Sequence, residues 1–310
     1  MKLRLPDRWT RYLTETPRFE GLFLCSSRAL AALRVGRKDG RIAGAAVLPL
    51  RPGTVLPSFD RPNLPDPGPL EDKIREAAAR LGIGAGSAAC LIPDLCARAV
   101  LLAFDALPSG EKEREKVVRW RVQKQMPLPA EGTRLVYEAV GTSPARILAV
   151  LVKDAVVREY EAAFARARFK VGALGISSLS LVNLAGGEEL GDGLLVNVED
   201  DSLCLMGFVE GALSLYRLKP LAAEGGRASR RAQELAQEIE NTVRFMEDRE
   251  TGRVRAVGLR LGVPDPNGAL REGLRSLLSI PVLEIAHPAA AGVASAESPP
   301  KSPSYSRHSV

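Results

Sequence analysis

Few residues in this 310-residue chain are equipped for chemistry, and they are widely scattered. The densest group is Glu199, Asp200 and Asp201, in a tight turn inside LLVNVEDDSLCLMGFVEGALSLYRL (Leu194–Leu218). Three consecutive carboxylates could hold a divalent cation, but a solvent-exposed acidic turn is the plainer expectation. The histidines are His287 and His308, one where the patterned text ends and one in a polar tail, so imidazole acid–base chemistry has no player. Gly175-Ile176-Ser177 lacks a nearby base and is no nucleophile elbow. Gly82, Gly84 and Gly86 make a G-x-G-x-G that follows a helix and precedes a strand. A dinucleotide site needs the reverse order, so a helix C-cap is expected. Cys25, Cys90, Cys96 and Cys204 form no C-x-x-C and read as small buried apolar residues of a reducing compartment. Glu238, Glu240 and Glu247 share a helix whose other side is apolar, which makes them a solvated face.

Composition narrows the class. The chain is long enough for about two domains of ~150 residues. A hydrophobic fraction of 45% with 26% charged residues is that of a soluble globular protein. The +6 net charge and pI of about 9.3 are a mild basic surplus, without zinc-finger spacing, an aromatic RNA-binding strand or a basic block, so nucleic-acid binding is not expected. No apolar window nears the ~18 residues of a membrane span, and the first residues lack a signal-peptide core. A cytoplasmic protein is expected. Residues 1–18 form an arm with five basic residues (Lys2, Arg4, Arg8, Arg11, Arg18) against Asp7 and Glu15, plus Trp9 and Tyr12. Pro6 breaks any long amphipathic helix there, so an arm lying on the protein's own surface is expected rather than a membrane anchor.

The elements that must position these residues follow from patterning. Gly21–Ser26, Ala29–Val35 and Ile42–Pro49 read as a β-meander. A Pro-rich loop follows, then a helix in LEDKIREAAARLG and a buried strand in SAACLIP. EKEREKVVRWRVQKQ is a charge-laced helix broken at Met126-Pro127. LVYEAVG and RILAVLV are strands, and DAVVREYEAAFARARF is a helix with Val156, Val157, Tyr160, Phe164 and Phe169 as its apolar set. A short helix at Ser177–Leu184, the Leu194–Leu218 meander, a long helix through Leu235, Ile239, Val243 and Met246, a strand in VRAVGLRLGV, a helix in NGALREGLRSLLS and a strand in IPVLEI complete the order. Strand meanders alternating twice with helices imply an α/β protein of two similar halves. Residues 289–310 are Ala/Ser/Pro-rich and read as a disordered tail.

This order resembles the actin-like (ribonuclease H-like) fold, and within it the PilM family of type IV pilus machines. GLFLCSSRALAALRV sits where that family has its first phosphate turn. VVRWRVQKQMPLPAEGTRLVYEAVG is similar to the helix, break and strand that open its inserted subdomain. ILAVLVKDAVVREYEAAFARARFKVGALGISSLSLVNL, the opening hairpin stretch and ELAQEIENTVRFM through IPVLEI continue the order. The resemblance spans roughly 19–288. It implies a first core subdomain at 19–100 and 174–190, an inserted peptide-groove subdomain at 101–173, and a second core subdomain at 191–288. A nucleotide-enclosing insertion is cut down to 219–233.

The departures from the family pattern are as informative. By this resemblance Phe23 and Cys25 stand where ATPases of the family place Asp and Gly, and Asn197 and Glu199 replace the same pair in the second hairpin. Arg260 and Gly262 occupy the adenosine turn, in Arg260-Leu261-Gly262-Val263-Pro264, without its consecutive glycines. A carboxylate there repels polyphosphate, and side chains block its approach to backbone N–H groups. The expectation is a pseudo-ATPase, a chain with no catalytic residue, no metal and no ATP or Mg as cofactor. The resemblance implies a scaffold at the inner membrane's cytoplasmic face, binding the N-terminal cytoplasmic peptide of a PilN-type inner-membrane protein, with the pilus motor ATPase as a further candidate partner. Trp120, Met126, Leu135 and Tyr137 are the groove residues this suggests, Trp120 being equally placed for core packing. Two alternatives are an active actin-like ATPase with divergent motifs and the cytoplasmic domain of a type II secretion platform protein.

Overall fold

The computed structural model describes residues 19–36, 40–126, 132–142, 145–185, 190–221, 228–249 and 253–285. The arm at 1–18, the tail at 289–310, both histidines and Pro127 lie outside the described residues.

The β-meander forms as β1 (Gly21–Cys25), β2 (Ala29–Val35) and β3 (Ile42–Pro49), each antiparallel to the next. Helix α1 (Gly68–Leu81) ends at Gly82, which adopts φ 62° and donates its N–H to Ala78 and Ala79, the expected left-handed cap. The chain then returns as β4 (Gly86–Ile92), parallel to β1, and later β8 (Phe169–Ile176), parallel to β4. The sheet order is β3-β2-β1-β4-β8. The second half repeats it. Strands β9 (Gly193–Val198), β10 (Ser202–Val209) and β11 (Ala212–Pro220) form a meander, and β12 (Ala256–Leu261) and β13 (Val282–Glu284) add in parallel. The order β11-β10-β9-β12-β13 matches the first sheet strand for strand. Glu210 and Gly211, both at positive φ, close the β10–β11 hairpin as expected of a two-residue turn.

Each sheet has its own core. Phe23, Leu30, Leu48, Ile74, Tyr160 and Phe164 are fully buried in the first, under α1 and α3 (Asp154–Arg166). Leu194, Val196, Leu205, Ile239 and Leu274 fill the second, under α5 (Ala228–Arg249) and α6 (Ala269–Leu277). Helix α4 (Ser177–Ala185) connects the two lobes.

A third sheet, ordered β5-β7-β6, is set into the first half. It comprises β5 (Ala97–Phe104), β6 (Thr133–Thr142) and β7 (Ala145–Lys153). Strand β5 is an addition to the sequence reading, which recognised no element between SAACLIP and the charged helix. That helix, α2 (Glu111–Gln125), buries only Val118 and Val122. The insert's other face, through Leu101, Val140 and Leu148, packs with Leu181, Tyr216 and Leu218. The Pro-rich loop, free of regular structure as expected, is fixed at both sides. Glu159 on α3 accepts the N–H groups of Asn63 at 2.6 Å and Leu64 at 2.9 Å. Phe59 inserts into the insert's core beside Leu102 and Phe104, its ring flanked by Arg98 at 5.1 Å and Lys153 at 5.6 Å.

Candidate functional site

Two hairpin turns meet where the lobes join. The β1–β2 turn, Ser26-Ser27-Arg28, faces the β9–β10 turn, Glu199-Asp200-Asp201. Arg28 Nε lies 2.8 Å from Asp200 Oδ1. The acidic turn is therefore not the exposed one expected: Glu199 and Asp200 are buried. The physical reason lies in guanidinium groups distant in sequence, Arg28 from the other lobe and Arg260 from β12, which compensate the carboxylates and permit burial. Burial also raises the Asp201 carboxyl above its ordinary value, against a hydrogen bond from Ser27.

A continuous polar chain lies beneath the turns. Arg260 and Asn197 are directly opposite in the parallel β12–β9 register, which puts their side chains side by side. Arg260 Nη1 donates to Asn197 Oδ1 at 2.5 Å and pairs with Glu199 Oε1. Asn197 Nδ2 donates to Ser178 Oγ at 2.8 Å, and Ser178 Oγ donates to Asp94 Oδ2 at 2.7 Å. The backbone N–H of Ser178 donates to Asp94 Oδ1 at 3.0 Å. Ser177 Oγ reaches Glu199 Oε1 at 3.4 Å. Asp94 thus sits at the N-terminus of α4, where a carboxylate is favoured, yet burial dominates and pushes its carboxyl up to about 7, against the lowering from the Ser178 bonds. The chain runs from the end of β4 in one lobe, through α4, to β9 and β12 in the other.

Gly262 completes the arrangement. Its N–H donates to Val198 O at 2.7 Å, and a Cβ there would lie 2.6 Å from Glu199 Cδ. The missing side chain is what seats the Glu199 carboxylate.

Asn197, Glu199, Arg260 and Gly262 are thus brought together, and Phe23 and Cys25 stand apart. Phe23 packs edge-on to Phe164 at 5.4 Å and against Phe169 at 5.4 Å, and Cys25 is buried in the same core. Asp94, Ser177 and Ser178 were missed by sequence reasoning. The available signal was an acid just after a buried strand and a serine pair opening a helix. All four cysteines are free and buried, as expected. Glu238 is less solvated than expected, since Arg217 and Lys219 of β11 both bind it.

The proposed groove residues divide differently. Trp120 is 57% exposed on the outer side of α2, with Lys124 Nζ 5.2 Å from its ring. This excludes core packing. Met126, Leu135 and Tyr137 are half-buried against the insert's core. A groove of about 500 Å³ opens between the β5–α2 loop and β6, lined by Leu107, Pro108, Arg114, Tyr137, Glu138 and Ile147 among others. Tyr137 alone of the four lines it.

Among the described residues no helix is long and apolar enough to cross a membrane. No protein-family model and no curated protein matches the sequence. Solved structures do match. The PilM–PilN type IV pilus biogenesis complex aligns with TM-score 0.71 at 16% identity, covering 87% of this chain and 89% of that one. A Bacteroides thetaiotaomicron protein of unknown function with an actin-like ATPase fold aligns with TM-score 0.55 at 10% identity, covering 88% and 93%. The twin five-stranded sheets, the connecting helix and the inserted third sheet are those of the actin-like fold, in a PilM-like arrangement.

Proposed function

We propose that this chain is a PilM-like scaffold of a pilus or related secretion machine, held at the cytoplasmic face of the inner membrane by a PilN-type protein's N-terminal peptide, and that it does not turn over ATP. The buried Glu199–Arg260 pair carries the second half of this reading. In the resemblance, Glu199 occupies a phosphate hairpin and Arg260 the adenosine turn, and here the two side chains bind one another. The residues present do not fit a nucleotide–magnesium complex. Glu199 and Asp200 are engaged by Arg260 and Arg28, the turns they occupy are drawn together, and Gly262 opens space for Glu199 rather than for a base.

The partner reading is supported by the fold shared with a protein whose solved complex contains PilN. It is supported as well by the groove at β6, where Tyr137 offers an aromatic wall and Arg114 a charge to an extended peptide.

Calorimetric titration with Mg-ATP, with thermal unfolding in parallel, tests the silent site. No heat and no change in Tm are expected. Saturable one-to-one binding with a raised Tm would establish a working nucleotide site and make hydrolysis the next assay.

A further inference from the structure

Helix α1 packs on strands β2 and β3 from one side of the first sheet, where Leu30, Ala32 and Leu48 are buried. The register fixes what stands on the other side. Leu22 lies opposite Leu33, and Leu33 opposite Ala45; Leu24 lies opposite Ala31, and Ala31 opposite Val47. Partners across a ladder share a face, so these six form two rows across β1, β2 and β3. Both rows are wholly apolar, whereas a water-facing side of an antiparallel sheet carries polar residues. Leu24 is buried, yet Leu22, Leu33 and Ala45 are half-buried and Val47 is 53% exposed. The second sheet shows the covered arrangement. Its matching face, through Leu195, Cys204 and Met206, packs with Leu181 of α4 and with Leu101 and Leu148 of the insert.

Phe19 marks where the preceding chain reaches this face. A Cβ on Gly172 of β8 would lie 2.6 Å from the Phe19 ring and against Ser87 Oγ of β4. Ser87 alternates with the buried Ala88, so Ser87 and the ring beside it stand on the side away from α1. Residues 1–18 join the described chain at this point. Their apolar residues Leu5, Trp9, Tyr12 and Leu13 follow the i, i+4, i+7, i+8 spacing of one helix face, with Asp7, Arg8, Arg11 and Glu15 off it. Pro6 suits a first helical turn, and Pro17 ends a helix before it.

We propose that residues 1–18 fold back over this face of their own chain as a short amphipathic helix from Pro6 to Glu15, setting Leu5, Trp9, Tyr12 and Leu13 against Leu22, Leu33, Ala45 and Val47. This inference stands independently of the function proposed above. The reach suffices. From β4 to β3 is three strand spacings, about 14 Å, and the ten residues from Phe19 back to Trp9 cover about 15 Å even when helical. Trp9 then lies over β2 and β3, and Arg8 and Arg11 turn to solvent. The other end of the chain is a poorer occupant. The described chain stops in the second lobe at Ile285, whose N–H donates to Leu259 O at 2.9 Å, and as bulky apolar residues 286–310 hold only Val293, Tyr305 and Val310. A second copy is disfavoured as well, because tethering at Phe19 gives the chain's own arm a high effective concentration at this face.

Two measurements on the full chain test this. The chain has two tryptophans, Trp9 and Trp120, so the surface substitution Trp120→Phe leaves Trp9 as the one reporter. Its emission should be blue-shifted and shielded from acrylamide, equally from micromolar to hundreds of micromolar protein. In the second measurement Val47→Cys offers a thiol on the face, while the four native cysteines are buried. Its alkylation by a maleimide should be slow, and about tenfold or more faster once Leu5→Ser, Trp9→Ser and Leu13→Ser make the arm polar, because only local opening then separates the thiol from reagent. The unfolding transition should be kept; if the triple variant does not fold, Trp9→Ser alone takes its place and should raise the rate. A Trp9 emission like that of indole in water would overturn the proposal. So would a Val47→Cys rate that the arm substitutions leave unchanged, whether fast because the face is bare or slow because another segment covers it. Shielding that grows with protein concentration would assign the face to a second copy and overturn it too.

Discussion

Arg28 of the first lobe and Asp200 of the second meet at 2.8 Å, and this contact ties together two hairpin turns that belong to separate sheets. Arg28 is half-exposed and Asp200 is buried, so solvent screens the pair from one side. Arg28→Ala should cost about 0–1 kcal/mol in a urea titration. Its larger effect should be local: faster amide exchange in the β1–β2 and β9–β10 turns, with the strand interiors unchanged.

Arg260→Ala should act differently. It leaves Glu199 buried without its partner, a loss of about 3–5 kcal/mol. The double variant Glu199→Leu, Arg260→Met replaces the pair by apolar groups and should recover most of that stability. Urea midpoints of the single and double variants would show it; a double variant as weak as Arg260→Ala would mean the pair is not the source of the loss.

Gly262→Ala should be costly for a small change. The added methyl meets Glu199, which cannot swing away without leaving Arg260. A loss of about 1–3 kcal/mol is expected, and it should shrink when Glu199 is first replaced by Ala.

Asp94 gives the protein a pH dependence of definite sign. Its carboxyl is raised from 3.8 to about 7. Below the unfolded value both states hold the proton. Between the two values the unfolded chain releases it and the folded chain keeps it, so stability falls as pH rises through this window. Asp94→Asn keeps an acceptor for the Ser178 N–H and should flatten that slope. Thermal unfolding from pH 4 to pH 8 on both proteins measures the difference.

Trp120 and Tyr137 should separate binding from folding. Trp120→Ala should change stability by no more than about 0.5 kcal/mol, as at other surface positions, and leave capture of a PilN-type N-terminal peptide unchanged. Tyr137→Ala should weaken capture by about tenfold or more, the scale of an aromatic interface anchor. Fluorescence anisotropy with a labelled peptide reads both.

The sequence disclosed the frame better than the junction. The strands Ala29–Val35 and Ile42–Pro49 have the same limits in the reading and in the fold, because turn residues bracket both. Strand β5 escaped notice because ARAVLLAF follows β4 after only Pro93 and one tight turn at Asp94–Cys96, with no Gly- or Asn-rich break. At the junction, Asn197, Glu199, Arg260 and Gly262 stood out as departures from a pattern. That they bind each other was not legible, since Arg260 is 63 positions from Asn197 and only the parallel β12–β9 register makes them neighbours. The same gap explains the acidic turn: local composition says solvent, and distant arginines decide otherwise.

The Pro-rich loop has a mechanical consequence. Glu159 grips it at Asn63 and Leu64, and Phe59 plugs the inserted sheet. The inserted sheet therefore has no free swivel on the first lobe. A pull on the groove at β6 passes through Phe59 into helix α3 and on to the first sheet, so load is shared by the whole lobe rather than taken up as rotation of one part.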